Sequence, residues 1–372
     1  MKFIKALSVF VGTIIGVGIF GLPYVASKAG FFVILFYFLA MSIIAIVIHL
    51  LFSKVALGTE TLYRLPGFVG EYMGLSWKKI TLFTIGAGLI GAILAYLIVG
   101  GTFLEYLFAQ YFGGNNLIYT LLFFSAGAYL IFRDIKHISL AELSLLGVFF
   151  AILSIILVKA VPFIDFSNFQ KIDLTFAALP YGVVLFALWG SSLIPELEEM
   201  LGRDAKNLLK WIIVSGILLA AITYLLFVFM VLGVSGGNTS KEAISGLASA
   251  LGGGVIRFGF IFGVIATFTS FITLGLTLKK ILWYDFGLSP KLSWVIACFA
   301  PLVLFFMGFK EFIRIIGLTG AFALGFEAII IVFLYKAFLK KKLSQKMNPL
   351  LYAMPTLFVL GIFFEIYYFL RG

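Results

Sequence analysis

Glycines and prolines set inside apolar runs are the residues of this chain whose spacing could do chemistry. One such stretch is GTIIGVGIFGLP, Gly12 to Pro23, and another is GSSLIP, Gly190 to Pro195. In each, a glycine (Gly18 or Gly190) stands five positions before a proline. Proline has no N–H for the carbonyl four residues back, so Pro23 releases the carbonyl of Ile19 and Pro195 that of Ser191. Gly16, Gly18 and Gly190 tolerate the unwound backbone that such a break requires. An interrupted helix ends one half in bare carbonyls and opens the next with bare amides at its positive dipole end. Amides suit a carboxylate, and carbonyls suit an ammonium or a metal cation. A zwitterion satisfies both.

Further polar groups lie within apolar segments. Glu196 directly follows the second break, and Glu327 falls near the middle of a long apolar run. An ionised carboxylate at membrane depth is costly, so both are candidates for carrying a coupled proton. Ala266, Thr269 and Ser270 stand at i, i+3 and i+4 and share one helical face. The chain has 2 histidines, His49 and His137. With no HExxH and no aspartate-rich motif for a diphosphate-bound metal, an enzyme has no support. His137 lies in a basic loop and His49 near the inner end of its segment, so both are expected at the membrane interface.

The elements that position these groups follow from composition. The 372 residues are 63% hydrophobic and 12% charged, with a mean hydropathy of +1.17. That is the signature of a polytopic, all-α membrane protein, whose spans need about 20 apolar residues each. Eleven spans are expected, at 4–27, 31–56, 78–110, 116–132, 138–159, 175–201, 207–233, 255–282, 289–308, 311–337 and 349–370. The apolar run after Lys5 is too long for a cleaved leader. A single cysteine, Cys298, excludes an internal disulfide. The net charge of +11 comes from loops flanking the membrane, which makes it a topological signal and not a nucleic-acid surface. With the N-terminus inside, most of the 27 Lys and Arg fall on the cytoplasmic side, Lys54, Arg64, Lys78, Lys79, Lys279, Lys280 and Lys340 to Lys342 among them.

Each break lies in the first helix of a set of five. Repeat one is 1–160, repeat two is 175–337, and 349–370 is an accessory helix. Five is odd, so the second set enters from the opposite side, the pattern of an inverted repeat with paired interrupted helices. The segment TETLYRLPGFVGEYMGLSWKK is expected to lie along the cytoplasmic surface. Thr239 with Glu242 reads as a capping box opening a short outer helix.

The stretch GTIIGVGIFGLPYVASKAG resembles the first helix of the amino acid–polyamine–organocation superfamily, and within it the hydroxy and aromatic amino acid permeases. AYLIVGGT (Ala95–Thr102), LPYGVVLFALWGSSLIPE (Leu179–Glu196) and ATFTSFITLGL (Ala266–Leu276) are similar to the same family, in the same order. The resemblance implies a LeuT-type fold and symport of a neutral L-amino acid, aromatic or hydroxy, by alternating access. A non-transporting amino-acid receptor on the same fold is the alternative. The resemblance puts the substrate carboxylate near Ile15, Gly16, Val17 and Gly18, with the Tyr96 hydroxyl beside it. The ammonium falls near the carbonyl of Phe186, while Phe186, Trp189, Gly190 and Ser191 shape the side-chain pocket. It also sets the carbonyls of Gly12 and Ile15 opposite Ala266, Thr269 and Ser270, five oxygens suited to sodium. Proton-driven members of that fold use a mid-span lysine on helix 5, whereas Lys159 here stands at the outer end, so sodium is expected, with a proton as the alternative. No other cofactor, no nucleic acid and no obligate protein partner is implied. The chain is expected in the cell membrane, its N-terminus cytoplasmic and its C-terminus extracellular.

This topology predicts that, on a Cys298→Ser background, a cysteine at position 240 labels from outside and one at position 342 from inside. The reverse pattern would overturn both the orientation and the repeat assignment.

Overall fold

Lipid leaves a spanning backbone few ways to pair its amides and carbonyls, and this chain takes the helical one. The computed structural model describes residues 2–133, 138–202 and 206–371, among which no strand occurs; Lys136, His137 and Arg203 lie outside the described residues. In chain order the helices are α1 (Lys2–Ile14), α2 (Gly18–Ala29), α3 (Phe31–Gly58), α4 (Leu65–Met73), α5 (Leu75–Phe112), α6 (Asn116–Phe132), α7 (Ile138–Ala160) and α8 (Pro180–Leu188). They continue with α9 (Ile194–Leu201), α10 (Lys206–Ser235), α11 (Ala248–Leu251), α12 (Gly253–Lys280), α13 (Pro290–Phe306), α14 (Phe312–Leu318), α15 (Gly325–Lys342) and α16 (Ala353–Arg371).

Among the described residues, 7 helical segments are long and apolar enough to cross a membrane alone, and the α1–α2 pair, bent by 53°, adds another. The expected count of eleven rests on shorter elements: α6 and α13, with 17 residues each, and the interrupted α8–α9 pair. Both breaks are present. The first falls at Ile15–Val17, a turn and a half before Pro23, which sits inside α2. The second runs through Trp189 and Gly190 into a 3₁₀ turn, Ser191–Leu193. Pro195 stands in the first turn of α9, where its missing N–H costs nothing.

Three local expectations change. The span expected over 311–337 is α14 and α15 joined by a π-helical turn, Thr319–Leu324. There α8 crosses backbone to backbone: a Cβ on Gly182 would strike the Gly317 carbonyl, and one on Gly320 the Gly182 carbonyl. Only glycine fits so close a crossing. The capping box at Thr239 does not form. Its hydroxyl donates to Gly236 O at 2.7 Å, Glu242 accepts from Ser245, and helical turns begin only at Ser245. The segment between α3 and α5 folds in part, as α4, which buries Leu65, Phe68 and Val69.

Packing brings the breaks together. The pairs α5–α12 and α5–α6 lie along one another, α10 packs on α1, α2 and α3, and α8 packs on α2 and α3. A Cβ on Gly18 would come within 3.1 Å of Ala187 Cα, and one on Gly190 within 2.8 Å of Ile14 Cγ1. The two interruptions therefore lie back to back at the centre of the bundle.

Candidate functional site

The loose ends of the first break can be traced bond by bond. Gly16 N–H, the normal partner of the Gly12 carbonyl, donates instead to Ile14 O at 2.8 Å. Ile19 N–H, the normal partner of Ile15 O, turns to Gly16 O at 3.4 Å. Val17 N–H leaves Thr13 O and donates to the Tyr96 hydroxyl at 3.2 Å. The carbonyls of Gly12, Thr13 and Ile15 thus lose their helical donors, and an outward-turned amide meets a phenol. Tyr96 projects from the middle of α5 and also covers Gly16, where any Cβ would collide with its hydroxyl.

Gly12, Thr13, Ile15, Gly16 and Tyr96 line a cavity of about 80 Å³, while Val17 is fully buried and is not in its wall. Gly12, Ile15, Gly16 and Tyr96 are in its wall, facing Ala266, Thr269 and Ser270 of α12, with Phe149 and Phe262 among the apolar surfaces. Thr269 Oγ1 donates back to the carbonyls of Ile265 and Ala266, both at 3.1 Å. Hydroxyls in apolar helices do this when nothing better is offered. Lys159 is exposed in the last turn of α7, away from this cavity. Among the described residues no group of three or more His, Cys, Asp or Glu could hold a metal ion, so any cation here must be bound by neutral oxygens.

The second break is organised differently. Trp189, Gly190 and Ser191 do not line the cavity beside Tyr96; they gather around His49 and Glu327. Ser191 Oγ donates to Glu327 Oε1, and both residues are buried. Phe186 lies on the far side of α8, its ring against Gly18. Glu327, in the first turn of α15 just past the π turn, borders a larger cavity of about 570 Å³ together with Ser192, Glu196 and Arg64. Thr13, Thr273 and Leu274 border both cavities, so the two adjoin, and the larger extends to Arg64, Lys280 and Asp285. On the opposite side, Phe20 packs on Phe103 at 4.9 Å and on Phe227 at 6.4 Å, while Tyr106 stacks on Phe260 at 4.8 Å. The structure is open to one face and plugged by aromatics towards the other.

Two placements correct the sequence reading. Glu196 is not buried in the bundle: its side chain is 43% exposed and pairs with Arg64 at 2.7 Å, a contact worth at most about 1 kcal/mol in such an environment. His49 is not interfacial. It is fully buried, its Nδ1 is 2.7 Å from Ala45 O, and Nε2 accepts the Gly190 N–H at 3.0 Å. A carbonyl on one nitrogen and an N–H on the other fix the neutral Nδ1–H tautomer. His49 also meets Trp189 edge-on at 5.2 Å. Sequence reasoning missed Tyr224 of α10 altogether. Its buried hydroxyl lies 2.6 Å from Ile14 O and 3.0 Å from Ala187 O, the closing carbonyls of the two first half-helices. One proton is shared between them. Nothing in the sequence separates Tyr224 from the other tyrosines, whereas a histidine inside an apolar run is itself a signal.

His49 therefore holds the second break by accepting a backbone amide. His49→Gln, whose carbonyl oxygen reaches the same place, is expected to keep ligand affinity and melting temperature near those of the parent. His49→Phe leaves the Gly190 amide unpaired at a cost of about 1–3 kcal/mol. Both quantities, measured on purified protein, should fall in His49→Phe alone; equal behaviour of the two variants would contradict the assignment.

Comparison with known proteins agrees with this geometry. A search of solved structures finds the same fold: a nucleobase-cation-symport-1 family transporter, Mhp1, in a closed conformation with bromovinylhydantoin bound (TM-score 0.66, 14% identity, covering 97% of this chain and 89% of that one). MhsT in complex with L-phenylalanine is also similar (TM-score 0.63, 14% identity, 99% and 98%). Both have the LeuT-type fold. Among curated sequences, the tyrosine-specific transport system 1 of Haemophilus influenzae is 26% identical over 335 residues, covering 83% of this chain and 81% of that protein. The tryptophan-specific transport protein of Shigella flexneri is 25% identical over 374 residues, covering 90% and 86%. The model of the tryptophan/tyrosine permease family, a family of transporters and not of enzymes, matches residues 1–369. With that match running almost end to end, the chain belongs to the tryptophan/tyrosine permease family.

Proposed function

We propose that this permease is a symporter of aromatic L-amino acids that works by alternating access around the two breaks. The observation that carries the reading is the cavity walled by Gly12, Ile15, Gly16 and Tyr96, whose hydroxyl also accepts the N–H of the buried Val17 just behind that wall. An incoming carboxylate takes the amide from Tyr96 and accepts the phenolic proton, while the ring of the substrate packs on Phe149 and Phe262. The relatives named for tyrosine and tryptophan, and the phenylalanine bound to MhsT, support an aromatic side chain. In this reading the N-terminal face is cytoplasmic, as the excess of Lys and Arg in the loops assigned to it supports, the C-terminus of α16 is extracellular, and a cavity bordered by Arg64 and Lys280 on that side belongs to a releasing state.

Sodium is the coupling ion in this reading. The Gly12 and Ile15 carbonyls lack their helical donors, and Ala266, Thr269 and Ser270 face them. Binding the ion requires only that Thr269 release its own helix. The alternative is a proton on Glu327, buried against Ser191 and bordering the vestibule. A non-transporting receptor is less well supported, because its relatives are named as transport proteins.

Uptake by proteoliposomes, tested across the twenty amino acids with sodium and proton gradients imposed separately, is expected to show tyrosine, tryptophan or phenylalanine entering with sodium. Folded protein giving no counterflow for any of them would contradict transport. Thr269→Ala combined with Ser270→Ala should raise the sodium needed for half-maximal uptake at least about tenfold, equivalent to 1.4 kcal/mol. Unchanged sodium dependence in that variant, with loss of proton-driven uptake in Glu327→Gln, would move the coupling to the proton.

A further inference from the structure

Of the buried carboxyls, Glu198, Glu327 and Glu365, the last lies away from both breaks. Glu365 of α16 is 4% exposed, and its Oε1 points at Gly317 of α14, 2.6 Å from where a Cβ would stand. One turn earlier on the same face of α16, Gly361 receives the ring and hydroxyl of Tyr181 from α8, so close that no Cβ fits. Tyr181 is 6% exposed, and among the described residues neither its hydroxyl nor Glu365 Oε2 has a hydrogen-bond partner. Tyr37 of α3 is within electrostatic reach of Glu365. The carboxyl therefore occupies a slot made by glycines, with phenols as its polar neighbours.

The charged groups on the surrounding elements do not neutralise it. Arg314 of α14 is exposed at the surface, and Glu327 of α15 is turned to Ser191. No ion pair joins Glu365 to any described Lys, Arg or His. An ionised carboxylate left like this inside a bilayer is too costly to persist, and an acid carrying its own proton is the affordable form. The position matters because α16 touches α8, α14 and the π turn, so it lies behind the second break where α8 crosses span 10.

We propose that Glu365 is a proton-binding site of this permease, separate from the substrate cavity, whose protonation holds α16 against α8 and α14 in the releasing state. When α8 and α14 part, water reaches the carboxyl and the proton leaves. The accessory helix thereby makes the balance between the two states depend on pH. A group whose acid form is favoured here stabilises this state at low pH, and that stabilisation fades as the pH rises.

The test uses the full chain in lipid. Infrared pH-difference spectra are expected to show a buried carboxylic-acid band that vanishes in Glu365→Gln and survives in Glu327→Gln. On a Cys298→Ala background, the labelling rate of a cysteine replacing Thr277 in the larger cavity, divided by that of a free thiol at the same pH to remove the thiolate dependence, should fall with rising pH, by up to about tenfold per pH unit for one linked proton. In Glu365→Gln, a neutral isostere, labelling should stay level. Tyr181→Phe, which removes the neighbouring phenol and keeps the carboxyl, should shift the midpoint of both titrations. A spectrum that Glu365→Gln leaves unchanged, or labelling in that variant that follows the parent, would overturn the proposal. Neither readout requires transport, so failure of the symport reading would be seen separately.

Discussion

A backbone amide or carbonyl inside a membrane must have a partner, and a broken helix creates several that its own chain cannot supply. The centre of this permease is built around that debt. Tyr96 takes the amide of Val17, Tyr224 gives its proton to the carbonyls of Ile14 and Ala187, and His49 accepts the amide of Gly190. These side chains come from α5, α10 and α3, so the helices around the breaks are tied to the breaks themselves. Gly12, Thr13 and Ile15, whose carbonyls have lost their helical donors, line the cavity.

The two breaks are held unequally, and the inequality suits alternating access. Gly190 is fixed by a buried imidazole, whereas Val17 is met by a phenol, which in the proposed function exchanges that amide for a carboxylate. The first is a strut and the second a placeholder. Around them, α8 crosses α14 and the π turn backbone to backbone at Gly182, Gly317 and Gly320. The aromatic plug of Phe20, Phe103, Phe227 and Phe260 closes the far side by packing, with Tyr106 bonded to Glu242 beside it. Aromatic contacts of this kind are worth about 0.5–1.5 kcal/mol each beyond burial, small enough for one substrate to repay.

Much of this was legible because the constraint is written in residue types. Glycine and proline in an apolar run admit few explanations, and the chain breaks near Gly16 and at Gly190 as their positions imply. The spacing of Ala266, Thr269 and Ser270 fixed their common face, and α12 presents it to the cavity. Depth and partnership were harder. Glu196 follows a proline at the end of an apolar run, yet α9 turns it into the vestibule towards Arg64, 132 residues away in the chain. His49 was assigned to the interface from its distance to the segment end, which says nothing about the amide waiting at Gly190. The π turn left no trace, because its cause is a crossing by α8 that only the assembled bundle contains.

The central claim is that the broken first helix reads a carboxylate. Equilibrium binding of L-tyrosine compared with tyramine, which keeps the ring and the ammonium but lacks the carboxylate, tests it most directly. Two charge-assisted bonds, from Val17 and Tyr96, predict that tyramine binds weaker by on the order of 100-fold or more. Equal affinity for the two would place the recognition elsewhere and contradict the account.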